Sequence, residues 1–128
     1  MKSHEFIAAV KRAADLSSSE DAERAAVATL QTLGERLAGG EPFDLASQLP
    51  AELAEALPVI GPGETFGLEE FYRRVAVREG TDRETARRHS RAVMSVLRQA
   101  VSSGEWDDIL AQLPKEYNEL TTVEATQR

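Results

Sequence analysis

The chain has 128 residues, a formal net charge of −7 and no cysteine. This length fits one domain or two very small ones, and the missing thiols exclude disulfides, zinc–thiolate sites and a cysteine nucleophile. An acidic surface favours solubility and disfavours nonspecific binding to nucleic acid.

The sequence contains an internal repeat, in which the segment Ser17–Glu55 recurs as Thr81–Glu119, offset by 64 residues. A repeat of this length predicts one supersecondary unit used twice. One copy of about 60 residues buries little surface, so we expect the two copies to share a core. We therefore predict an all-α fold in which two pseudo-symmetric helical repeats pack into one compact bundle-like domain. The predicted divisions are repeats over 4–57 and 68–120, a linker over 58–67 and a frayed tail over 121–128.

Each copy opens with a predicted amphipathic helix. Phe6 and Val10 in the first copy match Phe71 and Val75 in the second, and their spacing places them on one helical face. Gly80 predicts the end of the second of these helices, because glycine adopts the left-handed conformation at little cost.

A longer helix follows in each copy. The hydroxyl-x-x-carboxylate spacing of Ser17–Glu20 and Thr81–Glu84 predicts a capping box at each start. Apolar residues then recur at intervals of four and three, which is typical of a helix with one buried stripe. The predicted core of the chain comprises Phe6, Val10, Leu30, Leu33, Leu37, Leu45, Leu49, Phe71, Val75, Met94, Leu97, Val101, Ile109 and Leu113.

Both copies then carry the pattern Gly-Glu-x-x-Asp-x-x-x-Gln-Leu-Pro-x-Glu. Its aspartates are predicted N-caps of a short helix. Its prolines fit the first turn of another helix, where the missing N–H costs nothing. Its glutamines predict either a buried amide bonded to backbone across the repeat interface or a shared surface, and we favour the first. We interpret this motif as structural; it comprises Asp44, Gln48, Pro50, Asp108, Gln112 and Pro114.

The linker between the copies contains two prolines and three glycines, which exclude a regular helix there. Val59, Ile60 and Phe66 predict a loop that packs onto the core. No segment of the chain shows sustained alternation of apolar and polar residues, so we expect no sheet.

Few residues are arranged for catalysis. His4 and His89 lack a partner in a recognised ligand pattern, and we expect His89 to be a partly exposed helical residue. No Gly-x-Ser-x-Gly elbow is present, and Gly61–Gly63 lacks the lysine of a P-loop. We therefore assign no catalytic, metal-binding or cofactor-binding residue, and predict that the protein is not an enzyme.

Paired carboxylates recur in both copies, as Glu41 with Asp44 and as Glu105 with Asp108. A glycosidase-like acid–base pair needs two carboxylates across a cleft. Capping explains the same residues at predicted helix starts, so we favour a structural role. An enzyme with an inter-repeat carboxylate site stays an alternative, which carboxylates on opposite outer surfaces would exclude.

Arginines are concentrated in the second copy, where residues 68–101 hold 8 arginines and 5 acidic residues. Those of the predicted long helix lie on or beside one face, at Arg83, Arg87, Arg88, Arg91 and Arg98. Apart from Arg98, they are the candidate residues for an acidic partner or a nucleic-acid backbone. We favour a solvated face paired with the acidic residues Glu20, Asp21 and Glu23 of the first copy, because charge runs are usually solvated and exposed pairs are weak.

Several segments carry a family resemblance over about residues 4–120. They are Glu35-Arg36-Leu37, Asp44-Leu45-x-x-Gln48-Leu49-Pro50, Glu70-Phe71-x-x-x-Val75, Arg91-Ala92-Val93-x-x-Val96-Leu97, Gly104-Glu105-x-x-Asp108-Ile109-x-x-Gln112-Leu113-Pro114 and Tyr117. The pattern resembles a bacterial helical family known as domain-of-unknown-function family 2267. Residues 61–65 lack the tryptophan that this family often has before its second copy. The resemblance implies an all-helical protein with no established activity, and it carries over no catalytic residue.

These observations predict a soluble, cytoplasmic, non-enzymatic protein that binds a protein partner or associates with itself. Nucleic-acid binding through the arginine-rich helix and an enzyme with an inter-repeat carboxylate site are the alternatives. We expect no cofactor, and no membrane association, because no apolar run approaches the roughly 18 residues of a membrane span.

Overall fold

A computed structural model describes residues 1–122 of the chain. The α-helices are α1 (Ser3–Ala13), α2 (Ser19–Arg36), α3 (Glu41–Ala46), α4 (Ala51–Ala54), α5 (Leu68–Glu79), α6 (Arg83–Ala100), α7 (Ser103–Ala111) and α8 (Asn118–Thr121). A 3₁₀ turn covers Lys115–Tyr117. The prediction of an all-α fold is confirmed. Thr121, the first residue of the predicted tail, ends α8 and is buried, and residues 123–128 lie outside the described part.

The four longest helices surround the core. The helix α2 packs against α1, α5 and α6, and α6 packs against α1, α2 and α5. Both α2 and α6 have 18 residues, and they begin 64 residues apart. Among the described helices, none combines the length and the apolar composition that a membrane crossing requires.

The predicted core residues are all buried, except Leu113, which is partly buried because it lies in the turn after α7. Aromatic side chains complete the core on the side of the second half. Tyr72 and Tyr117 are fully buried, and the rings of Phe71 and Tyr117 meet edge to face at a centroid distance of 5.9 Å.

Both long helices begin one residue later than predicted. Ser18 caps α2 by accepting a hydrogen bond from the third backbone N–H that follows, and Asp82 does the same for α6. The predicted capping boxes at Ser17 and Thr81 are therefore wrong. Gly80 ends α5 with φ of 75°, and this prediction is confirmed.

The short helices α3 and α7 begin before the aspartates that were predicted to cap them. Asp44 and Asp108 lie inside these helices, so the predicted N-cap role is wrong. Pro50 and Pro114 directly precede α4 and the 3₁₀ turn, as N-caps rather than as first-turn residues. Their lack of an N–H is tolerated there, because a cap residue needs no intrahelical donor.

The linker packs down only in part. The ring centroids of Phe66 and Phe71 are 6.5 Å apart, so Phe66 packs onto the core as predicted. Val59 and Ile60 are 75% and 72% exposed, so the prediction for these two residues is wrong. Two short strands, β1 (Ala38–Gly39) and β2 (Gly61–Pro62), pair antiparallel, which corrects the expectation of no sheet. The pairing requires glycine at Gly61, because a Cβ there would lie 2.1 Å from the Leu37 carbonyl oxygen.

Candidate functional sites

A basic groove runs between α1 and α6. It has a volume of about 760 Å³. Alanines line part of it, at Ala9, Ala13, Ala14 and Ala92, and arginines line another part, at Arg12, Arg87, Arg88 and Arg91. The lining also includes one acidic residue, Asp15, together with Ser95, Val96 and Gln99. We refer to this feature as the α1/α6 groove. It combines an apolar surface with positive charge in a protein whose net charge is −7.

The arginines of the groove differ in their partners. Among residues 1–122, the side chains of Arg12 and Arg91 form no hydrogen bond or ion pair. Arg88 donates only a long hydrogen bond of 3.4 Å to the hydroxyl of Thr85. Arg87 is paired with Glu119 at 2.5 Å. Three guanidinium groups around the groove therefore have no carboxylate within ion-pair distance in the described part of the chain, and the charges of Arg91 and Arg88 act on Glu119 and Asp82 only at longer range.

Arg83 lies outside the groove and is paired with Glu69 at 2.5 Å. The structure therefore separates the candidate arginines into paired and unpaired groups. The predicted pairing with the start of α2 is wrong, because Asp21 instead pairs with Arg24 of its own helix. Sequence reasoning also missed Arg12, which enters the groove from α1, and nothing in its local sequence distinguishes it.

The predicted carboxylate motifs meet at the contact between α3 and α7. Carboxylate oxygens of Glu41, Glu105 and Asp108 all lie within 4.8 Å of one another. Glu41 and Glu105 are 9% and 6% exposed, whereas Asp108 is exposed. We call these three residues the carboxylate cluster. Its members do not lie on opposite outer surfaces, so the inter-repeat alternative is not excluded.

The carboxylate cluster lacks a cationic partner in the described part of the chain. Within residues 1–122, none of its members forms an ion pair, and the buried Oε2 atoms of Glu41 and Glu105 accept no hydrogen bond from a donor group. Burial, a hydrogen-bonding contact with Glu41 and the nearby charges of Asp108 and Asp44 raise the pKa of Glu105 to about 8. A proton shared between Glu41 and Glu105 is one way to satisfy the pair.

The two glutamines of the motif bond across the contact between the halves. Gln48 Oε1 accepts from the Ser102 N–H and Gln112 Oε1 accepts from the Ala38 N–H, both at 2.7 Å. Ser102 and Ala38 are themselves 64 residues apart, so the two bonds are related by the internal symmetry. Each glutamine holds the segment that follows the long helix of the other half. Gln48 is exposed rather than buried.

His89 differs from its predicted state. It is 6% exposed, and its Nδ1 contacts Glu79 Oε2 across the turn between α5 and α6. The expectation of a partly exposed histidine is therefore wrong. The ten-residue separation of the pair matches no helical spacing, so no local sequence signal identified it.

Two comparisons bear on the identity of the chain. A comparison with curated proteins finds no match. A family model described as "Uncharacterized conserved protein (DUF2267)" matches residues 3–120, which is nearly the whole chain.

Proposed function

This chain belongs to the DUF2267 family of uncharacterised conserved proteins, and on that premise we propose that it is a soluble, cytoplasmic, non-enzymatic interaction module. Its α1/α6 groove binds an acidic, amphipathic helix of a partner protein. The observation that carries the proposal is the group of three arginines, Arg12, Arg88 and Arg91, without a carboxylate partner among residues 1–122.

Charge supports an acidic occupant. Most arginines of the described chain are already paired; Arg74, for example, contacts Glu35, Glu64 and Glu70. The three unpaired guanidinium groups lie instead around one groove, where the carboxylates of a partner would supply the missing acceptors. Arginine pairs with carboxylates through two parallel hydrogen bonds, which gives such contacts geometric specificity.

The shape of the groove supports a helical occupant. Ala9, Ala13 and Ala92 leave room between the two helices, and Val96 adds apolar surface. An amphipathic helix binds such a groove with its apolar face inward and its charged residues at the rim. Along α6 the lining of the groove runs from Arg87 to Gln99, which corresponds to about 18 Å, or about three turns of a partner helix.

A nucleic acid fits these observations less well. Nonspecific binding to a duplex depends on many phosphate contacts, whereas the groove offers three unpaired arginines in a protein of net charge −7. Aromatic side chains that could stack on bases are absent from the described lining of the groove.

The test uses a fluorescent peptide designed as a helix, with glutamates on one face and leucines on the other. We expect it to bind the full chain in an anisotropy titration at low salt. Arg88→Glu combined with Arg91→Glu should weaken binding at least about tenfold, because two ion pairs become two repulsions.

The matched control is Arg73→Glu, which makes the same kind of charge change at an exposed arginine outside the groove. It should leave binding nearly unchanged. The proposal is wrong if the peptide does not bind, or if Arg73→Glu weakens binding as much as the groove variant. It is also wrong if a DNA duplex of about 20 base pairs binds more tightly than the peptide.

A further inference from the structure

We propose that Glu41, Glu105 and Asp108 bind a hard divalent cation such as Ca²⁺. The site lies at the contact between α3 and α7, away from the α1/α6 groove, and it is independent of the proposed function. Two observations support it: three carboxylates converge from two helices, and two of their buried oxygens lack any donor in the described chain.

The geometry suits calcium. Carboxylate oxygens are hard ligands, and Ca²⁺ binds them at about 2.3–2.6 Å, so that oxygens on opposite sides of the ion lie about 5 Å apart. One oxygen from each of the three carboxylates lies within 4.8 Å of the other two, so a single ion can reach all three.

The buried oxygens indicate that the cluster lacks a component. Glu41 Oε2 and Glu105 Oε2 are both inaccessible to solvent and accept no hydrogen bond from a donor within residues 1–122. Buried acceptors normally have partners, because desolvation without compensation destabilises the fold. An ion between α3 and α7 would give both carboxylates a partner that the described chain does not provide.

A shared proton is the competing explanation. It would neutralise one negative charge and leave Asp108 ionised, with Asp44 also close enough to act on Glu105. A divalent cation neutralises two charges and gives all three carboxylates a ligand role. Asp108 is exposed, so the ion has a route from solvent and room for the water ligands that complete its coordination.

Binding would link the two halves of the molecule. Glu41 belongs to α3 of the first half, whereas Glu105 and Asp108 belong to α7 of the second. An ion that binds only the folded state stabilises it in proportion to the logarithm of its concentration. The cluster would thereby make the stability of the inter-half contact depend on calcium.

Terbium luminescence provides a direct test on the full chain. Trp106, the only tryptophan of the chain, follows Glu105 in α7 and can transfer excitation energy to Tb³⁺ bound nearby. We expect chelator-treated protein to sensitise Tb³⁺ emission, and millimolar Ca²⁺ to reverse it. Asp108→Asn should weaken Tb³⁺ binding at least about tenfold, since even residues behind a metal ligand contribute that much.

Asp107→Asn is the matched control, because Asp107 is exposed and adjacent in α7 but not part of the cluster. It should bind Tb³⁺ like the wild type. Asp108 is itself exposed, so its variant is expected to fold; a thermal melt checks this. Emission that Ca²⁺ does not displace, or that Asp107→Asn reduces as much as Asp108→Asn, would overturn the proposal, as would the absence of emission.

Discussion

The internal symmetry relates two helix contacts, one between α2 and α5 and the other between α1 and α6. Ion pairs close only the first of them. In the first, Glu35 bonds Arg74 at 2.9 Å and Arg78 at 2.5 Å. In the second, the corresponding positions are Gln99, Ala9 and Ala13. These residues form no such network, and they line the α1/α6 groove instead.

The comparison shows that the apolar stripes determine how the helices pack, whereas a few outward residues determine whether a contact is complete. The buried residues Leu33 and Leu97 occupy the same position in the two halves. The charged residues correspond only in part. Arg88 aligns with Arg24, which is paired with Asp21, whereas Arg91 aligns with the apolar Val27. The α1/α6 groove therefore lies where the symmetry-related contact has the ion pairs of Glu35.

The largest expected effect tests the shared core. Leu33→Ala and Leu97→Ala should each lower the free energy of unfolding by about 2–5 kcal/mol, since both side chains are fully buried. Chemical denaturation followed by circular dichroism should show one transition for each variant. Two separate transitions in either variant would show that the halves unfold independently and would break the comparison.

A smaller effect is expected at the ion pairs. Glu35→Gln gives the first half the residue that the second half has at Gln99, and should cost about 1–3 kcal/mol at neutral pH. Burial alone would raise the pKa of Glu35, but hydrogen bonds from Arg78 and Arg74 outweigh it and lower the pKa. Its ionised form therefore stabilises the fold above its ordinary pKa near 4.5, and this contribution is lost as the pH falls through the lowered value.

The measurement for Glu35 is urea denaturation of wild type and variant at several pH values. The difference in stability should be largest near neutral pH and shrink under acid conditions. A difference that stays undiminished as the pH falls well below 4.5, where the unfolded state already binds the proton, would contradict an electrostatic role.

Glu105 should show the opposite dependence. Its raised pKa of about 8 means that the folded state holds the proton more tightly than the unfolded state. Wild-type stability should therefore fall as the pH rises from about 4.5 toward 8. In the presence of a chelator, Glu105→Gln should raise the melting temperature by a few degrees at about pH 9, with little change at about pH 5. A gain of equal size at both pH values would contradict this account.

Closing the α1/α6 groove with an ion pair should change stability least. It should nevertheless change the binding of the acidic peptide strongly. Ala13→Arg combined with Gln99→Glu copies the pair formed by Arg78 and Glu35. Because both positions are exposed, stability should change by only about 0.5 kcal/mol. Binding of the acidic peptide should be lost in the anisotropy assay, and retained binding would show that the open groove is not the site.

The helical core was predictable because its signal is local. Residues such as Phe6 and Val10 are four positions apart, and helical geometry alone places them on one face. The N-cap residues of the two long helices were harder to predict, because each helix start offers two capping residues in succession. Ser17 and Ser18, like Thr81 and Asp82, are adjacent residues that can both cap a helix, and the second of each pair is the cap in the structure.

The candidate sites depend on contacts between distant residues. Glu41 and Glu105 are 64 positions apart in the sequence. Each fits its own surroundings as a residue at the start of a helix, so only the packing of α3 on α7 brings them together. The groove likewise needs Arg12 of α1 beside Arg88 and Arg91 of α6. Composition identified the arginine-rich helix, but not which of its arginines lack a partner.

The most direct test of the central claim is an NMR titration of the labelled full chain with the acidic amphipathic peptide. We expect saturable shifts of backbone amides at residues 9–15 of α1 and its following turn and at residues 87–99 of α6, on the two sides of the groove. Amides around Arg74 and Arg78, at the contact closed by Glu35, should stay unchanged. Shifts at the closed contact, or none at the groove, would contradict the claim.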